Sequence, residues 1–320
     1  MEEVLPQLER LTKLLLKGDS LADACARIGI DENIATTWLE QYATPPNAPD
    51  ALSDSPVLDS VCPVFRTNKD FFNMSHIGSG VLVDLGNESF LLTAAHVTDQ
   101  RLDGILHIPT CAGIEPIRGF FADFVPFLSK TRDGDKGDTS YYRLDRQFRE
   151  TLHSSLRPLS ITDLDLDDQL HDGDLFTFVG FPWRKTKDKQ ETQETDRTSY
   201  TGHAVSEGVY ELLGHSRTLH VAIQMRLKNA FSSRHGPRQM APHPQGISGG
   251  GVFSWPRGRS NRMNSPKLQL AAIAHTYNRS HNSMVGSRII GILMAILRNN
   301  PELGRELPAY VHDRLDEYSK

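Results

Sequence analysis

The sequence predicts a mainly-β protein with helices at both ends. Three observations predict it. From Val61 onward, short apolar segments follow one another between turn residues. No long helical pattern alternates with them, which excludes a parallel α/β layout and indicates an all-β barrel or sandwich. The two ends carry helical spacing instead.

At the N-terminus, Leu5, Leu8, Leu11 and Leu15 recur at helical intervals. Gly18 ends that helix, and Asp19 or Ser20 caps a second, short one carrying the small residues Ala22 and Ala26. Gly29 supplies a tight turn and Asp31 caps a third helix, with Ile34, Trp38 and Leu39 as its apolar face. Residues 1–42 thus form a small helical module. Residues 43–60, rich in Pro, Asp, Ser and Ala, read as a linker. Residues 61–300 form the β domain. HIGSGVLVDLG and ESFLLTAAHV make a hairpin turning at Gly86-Asn87. GILHIP, PIRGFFADF, TSYYRL, DLFTFVGFP, LHVAIQMR, GGGVFSW and LQLAAIAHTY are further strands. The polar stretch from Arg184 to Tyr200 reads as an exposed loop. RIIGILMAILRNN is helical, and residues 301–320 form a C-terminal helix.

Hydrophobic residues make up 38% of the chain and charged residues 23%, as in a globular protein. No apolar run is long enough to span a bilayer. The acidic start, MEEVLPQLER, does not read as a signal peptide. Cys25, Cys62 and Cys111 are odd in number and widely spaced, so they build no disulfide framework and read as buried small hydrophobes. These features place the protein in a cytoplasm. No metal-ligand spacing is present, and neither a metal nor another cofactor is expected.

Three segments carry chemistry. Ser248 lies in Gly246-Ile247-Ser248-Gly249-Gly250-Gly251. A nucleophilic serine needs a base to take its proton and backbone N–H groups to hold an oxyanion, and flanking glycines permit the required turn. A plain Gly-rich turn would read the same way. His96 ends the apolar run Leu91-Leu92-Thr93-Ala94-Ala95, where small residues let the imidazole lie against the backbone. Asp138 leads the strand Thr139 to Leu144 and can hold an imidazole in one tautomer. Asp133 and Asp135 are rivals in a Gly-rich turn that should face solvent.

LLTAAHV, DTSYYRL and GISGGGVF resemble the histidine, aspartate and serine motifs of the trypsin-like serine proteases, in that family's order. HDGDLFTFVGFP resembles the strand that opens the family's second barrel. The resemblance spans roughly Val61 to Leu297. It implies two six-stranded antiparallel β-barrels, a catalytic triad of His96, Asp138 and Ser248, and an oxyanion hole from the N–H groups of Gly246 and Ser248. Ile247 replaces the acid that pairs with a freed N-terminus in zymogen-derived members, so that activation is not expected. The substrate-lining strand corresponds to LQLAAIAHTYN. It implies that His275 and Tyr277 contact the substrate, with His275 donating to a Glu or Gln side chain. A rim histidine without that role is the alternative. Alternation should keep Ile273, His275 and Tyr277 on one face. The expected partner is a protein or peptide substrate.

Three other readings compete. Gly-x-Ser-x-Gly also marks α/β-hydrolases, but those need a helix after the serine and the order Ser, acid, His, which GGVFSW and the chain order do not supply. A catalytically idle, protease-like binding module is the second. The third is a DNA-associated regulator, because residues 20–42 resemble a helix-turn-helix of the transposase and recombinase type. Residues 1–42 hold four basic and eight acidic residues, and ENIATTWLEQY has no Lys or Arg. DNA affinity depends on phosphate contacts from basic groups, so this module is expected to bind a protein partner or another copy of the chain rather than nucleic acid. An adaptor of this kind suits recruitment or induced activation, as in bacterial defence and stress systems, by analogy alone.

Overall fold

The computed structural model describes residues 7, 10, 11, 14, 20–38, 55–68, 74–123, 135–167, 169–171, 174–183, 197–225, 230–232, 236–239, 244–255 and 268–318. Two compact units emerge, Met1–Asp54 and Ser55–Lys320.

In the first unit, α1 (Leu21–Ile28) starts at Ser20, whose side chain accepts from Asp23 N. It ends at Gly29, whose φ of 73° lies in the left-handed region that favours glycine. Asp31 then accepts from Asn33 N at 2.8 Å and opens α2 (Glu32–Trp38). Leu11, Ala24, Cys25 and Ala35 form a small core. Among the described positions of α2, Ala35 is buried, whereas Ile34, expected on the apolar face, is exposed. Ala35 is small enough for α1 to approach closely. Leu5, Leu8, Leu15 and Leu39 lie outside the described residues.

The second unit opens with a short 3-10 turn, Pro56–Ser60, inside the segment expected to be a linker, and Leu58 there is buried. Seven strands follow: β1 (Val61–Asn68), β2 (Met74–Leu85), β3 (Glu88–Ala94), β4 (Gly104–Thr110), β5 (Gly113–Pro116), β6 (Gly119–Asp123) and β7 (Thr139–Leu144). Their antiparallel order is β5-β4-β1-β2-β3-β7-β6. The hairpin β2–β3 turns at Gly86 and Asn87, as expected. PIRGFFADF, expected as one strand, is split. Ile117 N still donates to Leu106 O beyond β5, and Arg118 O accepts from Asp145 N before β6. The chain therefore runs from one edge of the sheet directly into the other, and β5 and β6 are halves of one bent strand closing a six-stranded ring. Pro63 sits in β1 before its pairing with β4 begins at Phe65, so its missing N–H costs no bond on that side. Leu82, Leu91 and Val97 lie in the ring's interior and are fully buried.

The second ring contains β8 (Leu175–Gly180), β9 (Thr198–His203), then a short helix α3 (Glu207–Leu213), and β10 (His220–Gln224). A hairpin of β11 (Ala230–Ser232) and β12 (Gly236–Gln239) precedes β13 (Gly251–Ser254), β14 (Gln269–Asn278) and β15 (Ser283–Arg288). The sheet order is β10-β15-β14-β13-β8-β9. The Ala204–Ile223 bridge and the Val205 N–Ala222 O bond join β9 to β10 and close it. Thr198–Tyr200 belong to β9 rather than to the expected loop, and residues 184–196 lie outside the described residues. Taking β5 and β6 together, both rings have the same cyclic order: first, second, third, sixth, fifth, fourth. The unit is two copies of one antiparallel ring.

The C-terminal segment straps the rings together. Helix α4 (Ile289–Asn299) leaves β15 of the second ring. Asn300 Nδ2 then donates to Tyr141 Oη at 3.0 Å, and Arg143 on β7 bonds both Asn300 and Glu302. Glu306 accepts from Asn87 N in the β2–β3 turn. Helix α5 (Ala309–Tyr318) returns, and Tyr318 Oη donates to Thr218 O beside the second ring. Among the described residues, no helix is long and apolar enough to cross a membrane. Cys25 and Cys62 are buried free thiols, and burial pushes the Cys62 thiol up to about 12. Cys111 is exposed, contrary to expectation, at the β4–β5 turn.

Candidate active site

Strand register brings His96 and Asp138 together. β3 and β7 pair antiparallel with Ala94 opposite Thr139, and Ala95 N donates to Asp138 O at 2.9 Å one step further on. His96 is the next residue, in a single helical turn, Ala95–Thr98. Its Nδ1–H donates to Asp138 Oδ2 at 2.6 Å and its backbone N–H to Asp138 Oδ1 at 2.9 Å. Both carboxylate oxygens thus clasp one residue, and Nε2 is left as the open ring nitrogen. Burial works to raise the Asp138 pKa, but the bonds and charge of His96, with His275 nearby, outweigh it and hold the carboxyl below its usual range.

Asp138 has φ of 36°, unusual for a residue with a side chain. Asp135 holds it there. Its Oδ1 accepts from Gly137 N at 3.0 Å and Asp138 N at 3.1 Å. Asp135 is therefore not the solvent-facing residue expected but 7% exposed, stabilising the turn that aims its neighbour. The spacing Asp135-Lys136-Gly137-Asp138 was the available signal, since Asp accepts readily from N–H groups two and three residues on. Asp133 lies outside the described residues.

Ser248 comes from the other ring. The turn around it has Gly246 at φ 90° and Gly249 at φ 87°. A Cβ at Gly249 would meet Ser79 O at 2.0 Å and Thr93 Oγ1 at 2.1 Å, so only glycine lets the turn lie against the first ring. A Cβ at Gly78 would touch both Val97 and Ser248 O, which puts the serine's backbone beside the residue that follows His96. The Ser248 hydroxyl itself donates to the backbone carbonyl of His275 at 3.1 Å, not to His96. The N–H groups of Ile247, Gly249 and Gly250 donate to Pro244 O, Ala274 O and Ile247 O. Those of Gly246 and Ser248 donate to no acceptor among the described residues.

A cavity of about 290 Å³ adjoins His96 and Asp138, lined also by Asp135, Lys136, His215, His275 and Thr276. His275 is 4% exposed, its Nδ1 is 2.9 Å from Thr276 Oγ1, and its Nε2 is buried without a partner. The rings of His215 and His220 lie against each other, and each is 6.1 Å from that of His275. Burial lowers His275 to about 3, against the pull of Asp138, and lowers His215 to about 4, so both are neutral at pH 7. β14 shifts register between Ala274 and Thr276, so the alternation expected to align Ile273, His275 and Tyr277 is interrupted at His275. Tyr277 packs against the core of the second ring. Among the described residues, no three His, Cys, Asp or Glu side chains gather as a metal site.

Two closed antiparallel rings of one strand order, flanked by helices, are the trypsin-like double-barrel fold class. No family model and no curated protein matches the sequence. Among solved structures, the chain is similar to one described as neuropsin, a serine protease expressed in the limbic system of mouse brain. The TM-score is 0.49 at 15% identity, over 76% of this chain and 95% of that one.

Proposed function

We propose that this chain is a serine endopeptidase acting through His96, Asp138 and Ser248. The observation that carries the reading is the two-point clasp of His96 by Asp138, because it leaves Nε2 as the proton acceptor. Ser248 Oγ turns from the His275 carbonyl to His96 Nε2 and attacks the scissile carbonyl as its proton passes to the imidazole. The carbonyl electron pair moves onto oxygen, where the unused N–H groups of Gly246 and Ser248 receive it. Collapse expels the amine, which takes the proton back from His96. Water then cleaves the acyl-serine ester by the same path. Asp138 stabilises the imidazolium throughout.

His275 and Tyr277 are the proposed substrate contacts. A neutral His275 imidazole can donate to the side-chain oxygen of Gln or Glu, which would satisfy its buried Nε2. The free thiols support a cytoplasmic, reducing setting, and the acidic helical module supports a protein partner or self-association.

The bond from Ser248 to His275 O favours a second reading, a protease-like module that binds without turnover. Fluorophosphonate labelling with a peptide-library digest separates the two. Labelling and cleavage by wild type, both lost in Ser248→Ala, support the endopeptidase; absence of both in wild type supports the binding module.

A further inference from the structure

We propose that Ser79, a first-ring residue, is the positioning residue for the oxyanion-binding turn of the second ring. The inference rests on the endopeptidase reading and deepens it. Ser79 lies on β2 and is fully buried. Each of its polar groups reaches outside its own strand pairing. Its N–H donates to Ser248 O at 2.8 Å. Its hydroxyl donates to Gly246 O at 3.2 Å and accepts from Phe181 N at 2.9 Å. Its carbonyl accepts from Thr93 Oγ1 at 2.7 Å, three residues before His96.

The consequence follows from peptide planarity. The turn has three peptide groups whose orientation decides where the N–H groups of Gly246 and Ser248 point. Trp183 N–H holds Gln245 O at 2.6 Å, so the Gly246 N–H of that planar unit points the opposite way. Gly250 N–H holds Ile247 O at 2.9 Å, which turns the Ser248 N–H in the same manner. The Gly246 carbonyl between them has the Ser79 hydroxyl as its partner. Gly246 is at φ 90° and has no side chain of its own to hold this peptide, which is gripped at its two ends by the Ile247 N–H bond to Pro244 O at 3.1 Å and by the Ser79 hydroxyl. The hydroxyl also ties Phe181, two residues before Trp183, to the same point. One oxygen therefore grips the carbonyl end of the outgoing peptide of Gly246 and, through the Phe181 segment, supports the clamp on the incoming one. A Cβ at Gly180 would come within 3.0 Å of this oxygen and 2.6 Å of Ile247, so the arrangement is tightly enclosed.

Ser79→Ala removes the hydroxyl and keeps the backbone bonds. The informative comparison uses an oxygen ester and its thionoester, since a developing thiolate gains far less from oxyanion donors. Loss of a whole donor costs about 10²–10³ in kcat, so misaiming one should cost about tenfold. The expected result for Ser79→Ala is an oxygen-ester kcat about tenfold lower, KM within about twofold, and an unchanged thionoester rate. Ser79→Thr, which keeps a hydroxyl, should retain wild-type discrimination between the two esters. Equal falls for both esters, or no change in either, overturn the role of Ser79 while leaving the endopeptidase reading intact. A wild type that neither labels nor hydrolyses either ester overturns both.

Discussion

The Ser248 hydroxyl donates to the backbone carbonyl of His275 at 3.1 Å, while His96 is held by Asp138. The two halves of the candidate machinery are each formed but not yet joined. In the proposed mechanism Ser248 Oγ leaves this carbonyl for His96 Nε2, and such contacts often tighten only with substrate bound. Ser248→Ala should therefore abolish cleavage and phosphonate labelling, by a factor of about 10³ or more. Stability should change by less than about 1.5 kcal/mol, because one half-exposed hydrogen bond is lost. Kinetics and thermal melts of the same preparation check both.

Asp138→Asn should be the cleanest test of the clasp. Asn tolerates the positive φ at this position, so the turn built by Asp135 survives. The imidazole loses its fixed tautomer, and kcat should fall by about 10³–10⁴ with KM little changed. A variant within threefold of wild type would remove Asp138 from the mechanism.

His275→Ala should weaken any preference for Gln or Glu at the cleavage site, by about five- to 150-fold, for loss of one buried polar partner worth about 1–3 kcal/mol. Profiling wild type and variant on one peptide library reads this directly. A wild type that prefers basic residues would count against the assignment.

The buried imidazoles should make the second ring sensitive to acid. His215 and His275 fall from 6.5 to about 4 and about 3 in the folded chain. Between those values and 6.5 the unfolded chain binds more protons than the folded one, so stability falls as pH falls through that window. Melting temperature should be flat above about pH 7 and drop progressively from pH 6.5 toward 4. Replacing His215 by Asn should make the profile shallower.

Gly249→Ala should be among the most damaging single changes. It combines a left-handed φ with a contact near 2 Å from Ser79 O, which is backbone and cannot swing away. A loss of about 2–5 kcal/mol is expected from strain and overpacking together. Chemical denaturation of the variant beside wild type measures it.

Much of the second unit was legible in the sequence because its signals are local. The Gly86-Asn87 turn between two apolar runs located β2 and β3, and the small residues before His96 marked the end of a strand. Asp138 was legible as the residue leading β7. Elements without such contrast stayed hidden. β1 contains Pro63, β9 is written in polar residues, and β15 is short and interrupted by Gly286. Long-range relations were also out of reach. Asp135 looked solvent-facing because the N–H groups that donate to it lie within the turn, and the role of Ser79 depends on Phe181 and Gly246, far off in the chain. The bulge at His275 defeats a strict period of two.

His96 and Asp138 ride on one ring and Ser248 on the other, so the distance between them is a property of how the rings are mated. The C-terminal strap bridges that junction. It leaves the second ring with α4, grips Tyr141, Arg143 and Asn87 on the first, and is pinned back by Tyr318. To roll one ring over the other, the chain must release these grips. Residues 300–318 thus bind one ring to the other, and trimming them is expected to loosen that junction without removing His96, Asp138 or Ser248.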